Sequence, residues 1–119
     1  MASTHVKTFY AAEALTAASS NSSGTNPHQV LAKDGCFIGF FKAASVDAAT
    51  TVSAKIQHSP NNVEWYDLIT FTDLVGASGD QHISVNSVTT HVFQHIRGVV
   101  ELAGATLAAT CTIQLFFDR

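Results

Sequence analysis

Histidine is the residue type in this sequence that points most directly to metal chemistry, because six of the 119 residues are histidines and imidazole is a common metal ligand. His91 and His95 lie four residues apart on a predicted strand. They face one side of it but are separated by about 13 Å at roughly 3.3 Å per residue, too far to share one ion. His82, on a neighbouring predicted strand, can join either of them, yet no acidic ligand is placed by spacing. We expect surface or interface histidines, with no metal and no other cofactor, although a subunit axis can still gather copies of one histidine.

The carboxylates offer a second chemistry, since Glu64 and Asp67 flank Trp65 like a glycosidase pair beside an aromatic platform. Residues three apart on a strand point to opposite faces, so the two carboxylates are not expected to converge. The sequence also has no Gly-rich phosphate loop, no Gly-x-Ser-x-Gly elbow and no Ser/His/Asp grouping at usable spacing. We therefore expect a protein that is not an enzyme.

The two cysteines, Cys36 and Cys111, lie inside apolar runs typical of strands. The start of the chain, Met-Ala-Ser-Thr-His-Val-Lys, lacks the charged-then-apolar pattern of a signal peptide. A protein that stays in the cytosol after synthesis favours two buried thiols over a disulfide. Neither cysteine has a neighbouring base that would make it a nucleophile.

Composition limits the partners. Only 13% of the residues are charged, against about 25% in a typical soluble domain, which fits either a surface covered by a partner or a surface rich in Ser, Thr, Asn and Gln. The net charge of −3 with no basic run argues against nucleic acid. No apolar run approaches the roughly 18 residues of a membrane span, so no membrane partner is expected.

One predicted β-hairpin, Thr50–Phe71, organises the rest of the chain. Its first arm alternates apolar and polar residues, and the predicted inward side chains are Val52, Ala54 and Ile56. The connection Ser59–Asn62 has a proline that presets φ and two asparagines that tolerate the bridge and left-handed regions. In the second arm, Trp65 and Tyr66 are adjacent, so we expect one ring on each face.

The remaining strands follow from alternation. Strands are predicted at His28–Leu31, Cys36–Phe41, Gln81–Asn86, His91–Leu102 and Thr106–Asp118. Gly39 inside a bulky apolar run predicts a strand covered on both faces, with a bulge or a close approach at the glycine. With seven or eight strands and no convincing helix, the chain is predicted to be all-β, an antiparallel β-sandwich of immunoglobulin-like or jelly-roll kind.

The N-terminal region is predicted to be an extended arm. Residues 1–26 form this arm and a polar loop, and residues 27–119 form the sandwich domain. Within the arm, His5–Phe9 alternates like an edge strand. Ala11–Ala18 is read as extended chain or a weak strand, with a helical turn as the alternative, because so short a free helix is marginal.

Two stretches carry a family resemblance. Ile56–Leu68 is a strand ending in Gln-His-Ser, a Pro/Asn turn and a Trp-x-Asp-Leu strand, and His95–Val100 is followed by Gly104 and an apolar final strand. This pattern, over roughly Thr50–Arg119, resembles small virion proteins of tailed bacteriophages. The resemblance implies a structural protein located in the virion, a capsid decoration or cement subunit. Its expected partners are the major capsid protein and copies of itself, with a trimer favoured over a dimer.

The resemblance also directs attention to contact residues. The expected contacts are in the arm, Met1–Phe9, where they include Val6 and Phe9. Outward aromatic and histidine positions are also expected contacts: Phe93, His95, Trp65 and Tyr66. Two other functions remain open. One is a tail or head–tail connector subunit, and the other is a carbohydrate- or receptor-binding module on a virion.

Overall fold

The computed structural model describes residues 4–21, 36–86, 93 and 95–118. These residues form the strands β1 (Thr4–Leu15), β2 (Ser19–Asn21), β3 (Cys36–Ala44), β4 (Thr50–Ser59), β5 (Tyr66–Thr70), β6 (Leu74–Val75), β7 (Gly79–Asn86), β8 (His95–Gly104) and β9 (Ala109–Asp118). Sheet A has the order β1–β9–β3–β7, and sheet B has the order β2–β8–β4–β5 with β6 also paired to β4. Within this described part, no helix is long and apolar enough to span a membrane.

The strand pairs are antiparallel and nested. β1 pairs with β9, β2 with β8, β3 with β7 and β4 with β5, as in one long ribbon folded back on itself. The pairs β3–β9 and β4–β8 then join the wrapped ribbon into two sheets. This order is that of a jelly roll. The predicted antiparallel β-sandwich is confirmed, and of its two predicted forms the pairing selects the jelly roll.

The core lies between the sheets and follows the predicted alternation. The fully or almost fully buried inward side chains include Val52, Ala54, Ile56, Ile96, Val100, Leu102, Cys111, Ile113 and Leu115. Full burial of one such aliphatic side chain contributes roughly 1.5–3 kcal/mol. The inward phase predicted for the first arm of the hairpin is therefore confirmed, and β8 and β9 bury alternate residues in the same way.

Gly39 lies where the two sheets approach closely. A Cβ atom there would lie 2.8 Å from Ile69 Cδ1 and 3.2 Å from Phe71 Cζ, so the predicted close approach is confirmed. The prediction that this strand is covered on both faces is wrong within the described chain. Ile38 is 38% exposed and Phe40 is partly exposed, because no described element packs on the outer face of sheet A.

The N-terminal segment belongs to both sheets as far as residue 21. The predicted edge strand at His5–Phe9 is confirmed and continues to Leu15 along β9. Two register shifts interrupt this pairing, one between Thr8 and Tyr10 and one between Tyr10 and Glu13, and Ala12 within the second shift has φ of 51°. The alternative of a helical turn at Ala11–Ala18 is wrong, because sheet pairing outweighs the weak helical tendency of a short alanine run.

Some predictions fall outside the described residues. The boundary between arm and domain after residue 26 and the predicted strand at His28–Leu31 lie in the stretch 22–35. The boundary therefore stays a prediction. Ser19–Asn21, predicted as loop, instead pairs with β8 as β2.

The β4–β5 turn is held by its own side chains. Ser59 Oγ accepts hydrogen bonds from the backbone N–H groups of Asn61 (3.2 Å) and Asn62 (2.8 Å). Asn61 Oδ1 accepts from the backbone of Val63 (3.0 Å) and Glu64 (2.9 Å). Asn62 has φ of 63°, so the left-handed residue predicted in this turn is confirmed.

The sandwich has two distinguishable ends. The turn at residues 60–65 lies at one end, together with the start of β1 and β3 and the end of β9, and we call it the hairpin end. The connection at residues 45–49 lies at the other, where Asp47 N donates to Ala108 O at 3.1 Å. We call this second end the link end.

Candidate binding surfaces

Exposed apolar side chains concentrate at the hairpin end. Five large apolar residues are exposed in the described chain: Val6 (51%), Ile38 (38%), Val63 (76%), Tyr66 (50%) and Val75 (73%). Four of these five lie at the hairpin end, while Val75 pairs with Thr51 near the link end. Single exposed apolar residues are normal on any protein, but a local concentration marks an interaction surface.

An apolar row crosses the outer face of sheet A at this end. Val6 on β1 lies opposite Phe116 on β9, and Phe116 lies opposite Ile38 on β3. Directly opposed residues share a face, so the three side chains form one continuous apolar row. The row spans two strand spacings, about 10 Å. Phe40 follows on the same face of β3, one pleat further along.

An aromatic cluster of His58, Tyr66 and Phe93 closes the hairpin end. The ring centroids of His58 and Phe93 are 4.9 Å apart, and those of Tyr66 and Phe93 are 6.1 Å apart. His58 is buried, and its Nδ1 accepts a hydrogen bond from the backbone N–H of Phe93 at 3.0 Å. Accepting at Nδ1 requires that nitrogen to be unprotonated. This bond connects residue 93 to the end of β4. The Tyr66 ring lies next to the Phe93 ring.

A polar row occupies the outer face of sheet B, formed by Lys55, Gln57, Asp67 and Arg97. Arg97 Nε donates to Gln57 Oε1 at 2.9 Å, and Gln57 Nε2 donates to Asp67 Oδ1 at 2.9 Å. Lys55 Nζ lies 3.5 Å from the same Asp67 oxygen. The Arg97 guanidinium lies 4.3 Å from the centroid of the Trp65 ring, a cation–π contact.

Five of the six predicted contact residues lie toward the hairpin end. Val6 and Tyr66 are exposed there, and Phe93, His95 and Trp65 are partly exposed. Trp65 faces Arg97 on one side of the hairpin and Tyr66 faces the aromatic cluster on the other, as predicted.

The sixth, Phe9, packs against the core instead. A Cβ atom added at Gly98 would lie 2.8 Å from Phe9 Cβ. Sequence reasoning missed Ile38 and Phe116 as surface residues. The signal for Ile38 was the apolar run of β3, which predicted a strand covered on both faces.

The described residues assemble no metal site or catalytic set. His82 lies on β7 in sheet A and His95 on β8 in sheet B, so the expectation that these two histidines are on neighbouring strands is wrong. His91 lies outside the described residues. Among the described side chains, no group of three or more His, Cys, Asp or Glu is placed to hold a metal ion, and no pocket is present.

The two candidate carboxylates engage different partners. Asn61 Nδ2 donates to Glu64 Oε1 at 3.1 Å, whereas Asp67 accepts from Gln57 on the outer face of sheet B. Each carboxylate is therefore bound to its own neighbour in the hairpin. Neither contact forms the acid/base pair of a glycosidase.

Cys111 is a free, fully buried thiol, and its burial raises its pKa to about 11. Cys111 lies opposite Ala43, seven residues along β3 from Cys36. That spacing corresponds to about 23 Å along the strand, far beyond the reach of a disulfide. The prediction against an internal disulfide is confirmed, and so is the buried thiol at Cys111.

Comparison of the chain with protein-family models, with curated proteins and with solved structures gave no match.

Proposed function

We propose that the chain is a structural protein of a phage particle, a capsid decoration subunit that binds the outer shell at the joints between capsomers. The observation that carries this proposal is the placement of four of the five exposed large apolar side chains at the hairpin end. A surface of that kind suits contact with another protein. The jelly roll, a fold found in viral capsid proteins, and the resemblance of the hairpin sequence to phage virion proteins support the same function.

The docking surface in this proposal combines the apolar row with the exposed tip. It consists of Val6, Phe116 and Ile38 on sheet A, together with Tyr66 and Phe93 at the same end of the sandwich. Because these groups are uncharged, their contact with the shell is driven by burial of apolar area, and salt has little effect on it.

The size of the surface explains why the particle is the expected partner. The three side chains of a row about 10 Å wide cover much less area than the roughly 800 Å² per partner that a stable protein interface buries. A shell offers the same site many times, and an oligomeric subunit binds several sites at once, which multiplies weak contacts into strong attachment. Binding across a joint then stabilises the assembled shell over its separated parts.

The test uses expanded shells assembled from the major capsid protein encoded alongside this chain. The double variant Val6→Ser/Ile38→Ser removes two exposed apolar contacts, each worth about 1 kcal/mol, so we expect binding to weaken about 30-fold. Val75→Ser is the matched control, since Val75 is an exposed valine on a strand near the opposite end. Co-sedimentation measures bound chain per shell.

If the double variant and the control lose shell binding to the same extent, the apolar row is not the docking surface. No binding of the native chain to the shell contradicts the decoration role. Formation of closed rings by the chain, seen by electron microscopy, favours a tail or head–tail connector subunit instead.

The oligomeric state is tested separately by light scattering across a dilution series. The proposal expects a trimer whose mass persists on dilution, held by contacts formed before the shell is bound. A monomer at every concentration removes the trimer from the proposal and leaves attachment to depend on the repeated sites of the shell.

A further inference from the structure

We propose that the polar row and Trp65 form a binding site for a neutral oligosaccharide chain on the outer face of sheet B. This inference does not rest on shell binding, because the site uses a different sheet and a different set of side chains from the apolar row. In the proposal, the subunit presents sheet B to the surroundings. The ligand class follows from three features of the site.

The first feature is a fixed aromatic ring. Trp65 is partly exposed and lies directly before β5, where the Arg97 guanidinium packs 4.3 Å from its ring centroid. This contact fixes the orientation of the indole before any ligand arrives, so little side-chain entropy is lost on binding. The π face of an aromatic ring carries negative potential and attracts weakly positive C–H groups. One face of a pyranose ring presents such C–H groups.

The second feature is an ordered set of hydrogen-bonding groups beside that ring. Gln57 lies opposite both Arg97 and Asp67, so the three side chains cross three neighbouring strands of sheet B. Guanidinium, amide and ammonium groups donate, while the amide oxygen and the carboxylate accept. Sugar hydroxyls both donate and accept, and neighbouring hydroxyls need this mixture. The bonds of 2.9 Å within the row hold these groups in place in advance.

The third feature is an open face with little net charge. The row holds two cations, Arg97 and Lys55, and one carboxylate, Asp67, and the whole chain carries a net charge of −3. A nucleic acid requires a concentrated positive footprint, which this row lacks. The described part of the chain has no pocket, so a small molecule cannot be enclosed. A chain-like, uncharged ligand lying across the strands fits both observations.

Trp65 is the sole tryptophan of the sequence, so intrinsic fluorescence reports on the site directly. The experiment titrates the full chain with maltohexaose, cellohexaose and chitohexaose, and maps the same additions by amide chemical shifts. We expect a saturable change in Trp65 emission with at least one of the three at millimolar concentration. Amide shifts should cluster on β4, β5 and β8.

Asp67→Asn keeps the side-chain shape but removes the charged acceptor, and should weaken binding about tenfold. Asp80→Asn is the matched control, because Asp80 is exposed on β7 in the other sheet. Trp65→Phe, followed by amide shifts, tests whether a ring is needed. Absence of a saturable response to all three sugars, or equal weakening by both aspartate variants, overturns the proposal.

The two proposals fail separately. Val6→Ser/Ile38→Ser should lose shell binding and keep sugar binding, and Asp67→Asn should do the reverse. If a sugar binds while the native chain does not bind shells, the saccharide site stands and the decoration role falls. If shells bind and no sugar does, the saccharide site falls alone.

Discussion

The outer faces of the two sheets differ in chemistry although the same strand alternation builds both. Sheet A turns Val6, Phe116 and Ile38 outward, whereas sheet B turns Gln57 and Arg97 outward. Both sheets bury similar aliphatic side chains on their inner faces. Because the core places no demand on outward positions, the chemistry of each outer face can suit a contact outside the chain. The difference between the outer faces separates a surface suited to protein burial from one suited to hydrogen bonding.

The two faces also contribute differently to stability. The exposed polar row makes satisfied contacts that are worth about 0–1 kcal/mol each, because water competes for the same groups. The side chains of the apolar row stay exposed to water, so the isolated protein lacks the stabilisation of roughly 25 cal/mol per Å² that burial of their surface would give. The gain from that burial becomes available only when a partner covers the row.

The largest expected effect contrasts the inner and outer faces of one sheet. Ile113→Ala deletes a fully buried side chain of β9 and should lower the free energy of unfolding by about 2–5 kcal/mol. Ile38→Ala, the same change at a residue 38% exposed on adjacent β3, should cost less than about 1 kcal/mol. Urea unfolding measures both. Equal losses would mean that the outer face of sheet A is covered in the isolated protein.

The inner positions were predictable from sequence because they depend on local alternation alone. Val52, Ala54 and Ile56 follow a period of two, and Asn62 follows from turn chemistry. The two-residue strand β6 carries too few residues to show any period, so local alternation does not reveal it. The bulged strand β1 loses its alternation after Phe9, so the sequence predicted extended chain or a weak strand beyond it without fixing the end at Leu15.

The strand order and the exposure of apolar residues on the outer faces could not be predicted from the sequence, because the local pattern of residues does not determine them. Pairing of β1 with β9 joins residues 94 to 114 positions apart, from Leu15–Ala109 to Thr4–Asp118, and no local signal selects that partner. Ile38 and Phe40 have the same side-chain types as core residues. A pattern shows that such residues need cover, but it does not say whether the cover comes from this chain or from another.

A second prediction concerns the inner face at alkaline pH. The pKa of Cys111 is raised to about 11 from 9.0 by burial. Between these values the folded chain keeps a proton that the unfolded chain has lost, so stability is fully present below pH 9 and falls as the pH rises toward 11. The urea midpoint should therefore be lower at pH 10.5 than at pH 8.

The control for this prediction is Cys111→Ala, in which the fall between pH 8 and pH 10.5 should be smaller. Burial also raises the pKa of Tyr10, so part of the slope remains in the variant. If the variant loses as much stability between pH 8 and pH 10.5 as the native protein does, groups other than Cys111 cause the whole pH dependence. The folded native protein should also resist alkylation at Cys111 at pH 8, because the nucleophilic thiolate is scarce.

The smallest effect is expected on the polar row. Lys55→Met removes the ion pair with Asp67, whose Nζ–Oδ1 distance is 3.5 Å, and keeps the length of the side chain. Because this pair lies on the solvent side of sheet B, the free energy of unfolding should change by less than about 0.5 kcal/mol. Urea unfolding at low and at high salt measures the change. A loss of unfolding free energy above about 1 kcal/mol would show that the polar row stabilises sheet B. The outer face would then contribute to folding as the core does, contrary to the proposed difference between them. A negligible loss leaves the row free for a ligand, since groups whose bonds contribute little to folding can exchange partners at little cost.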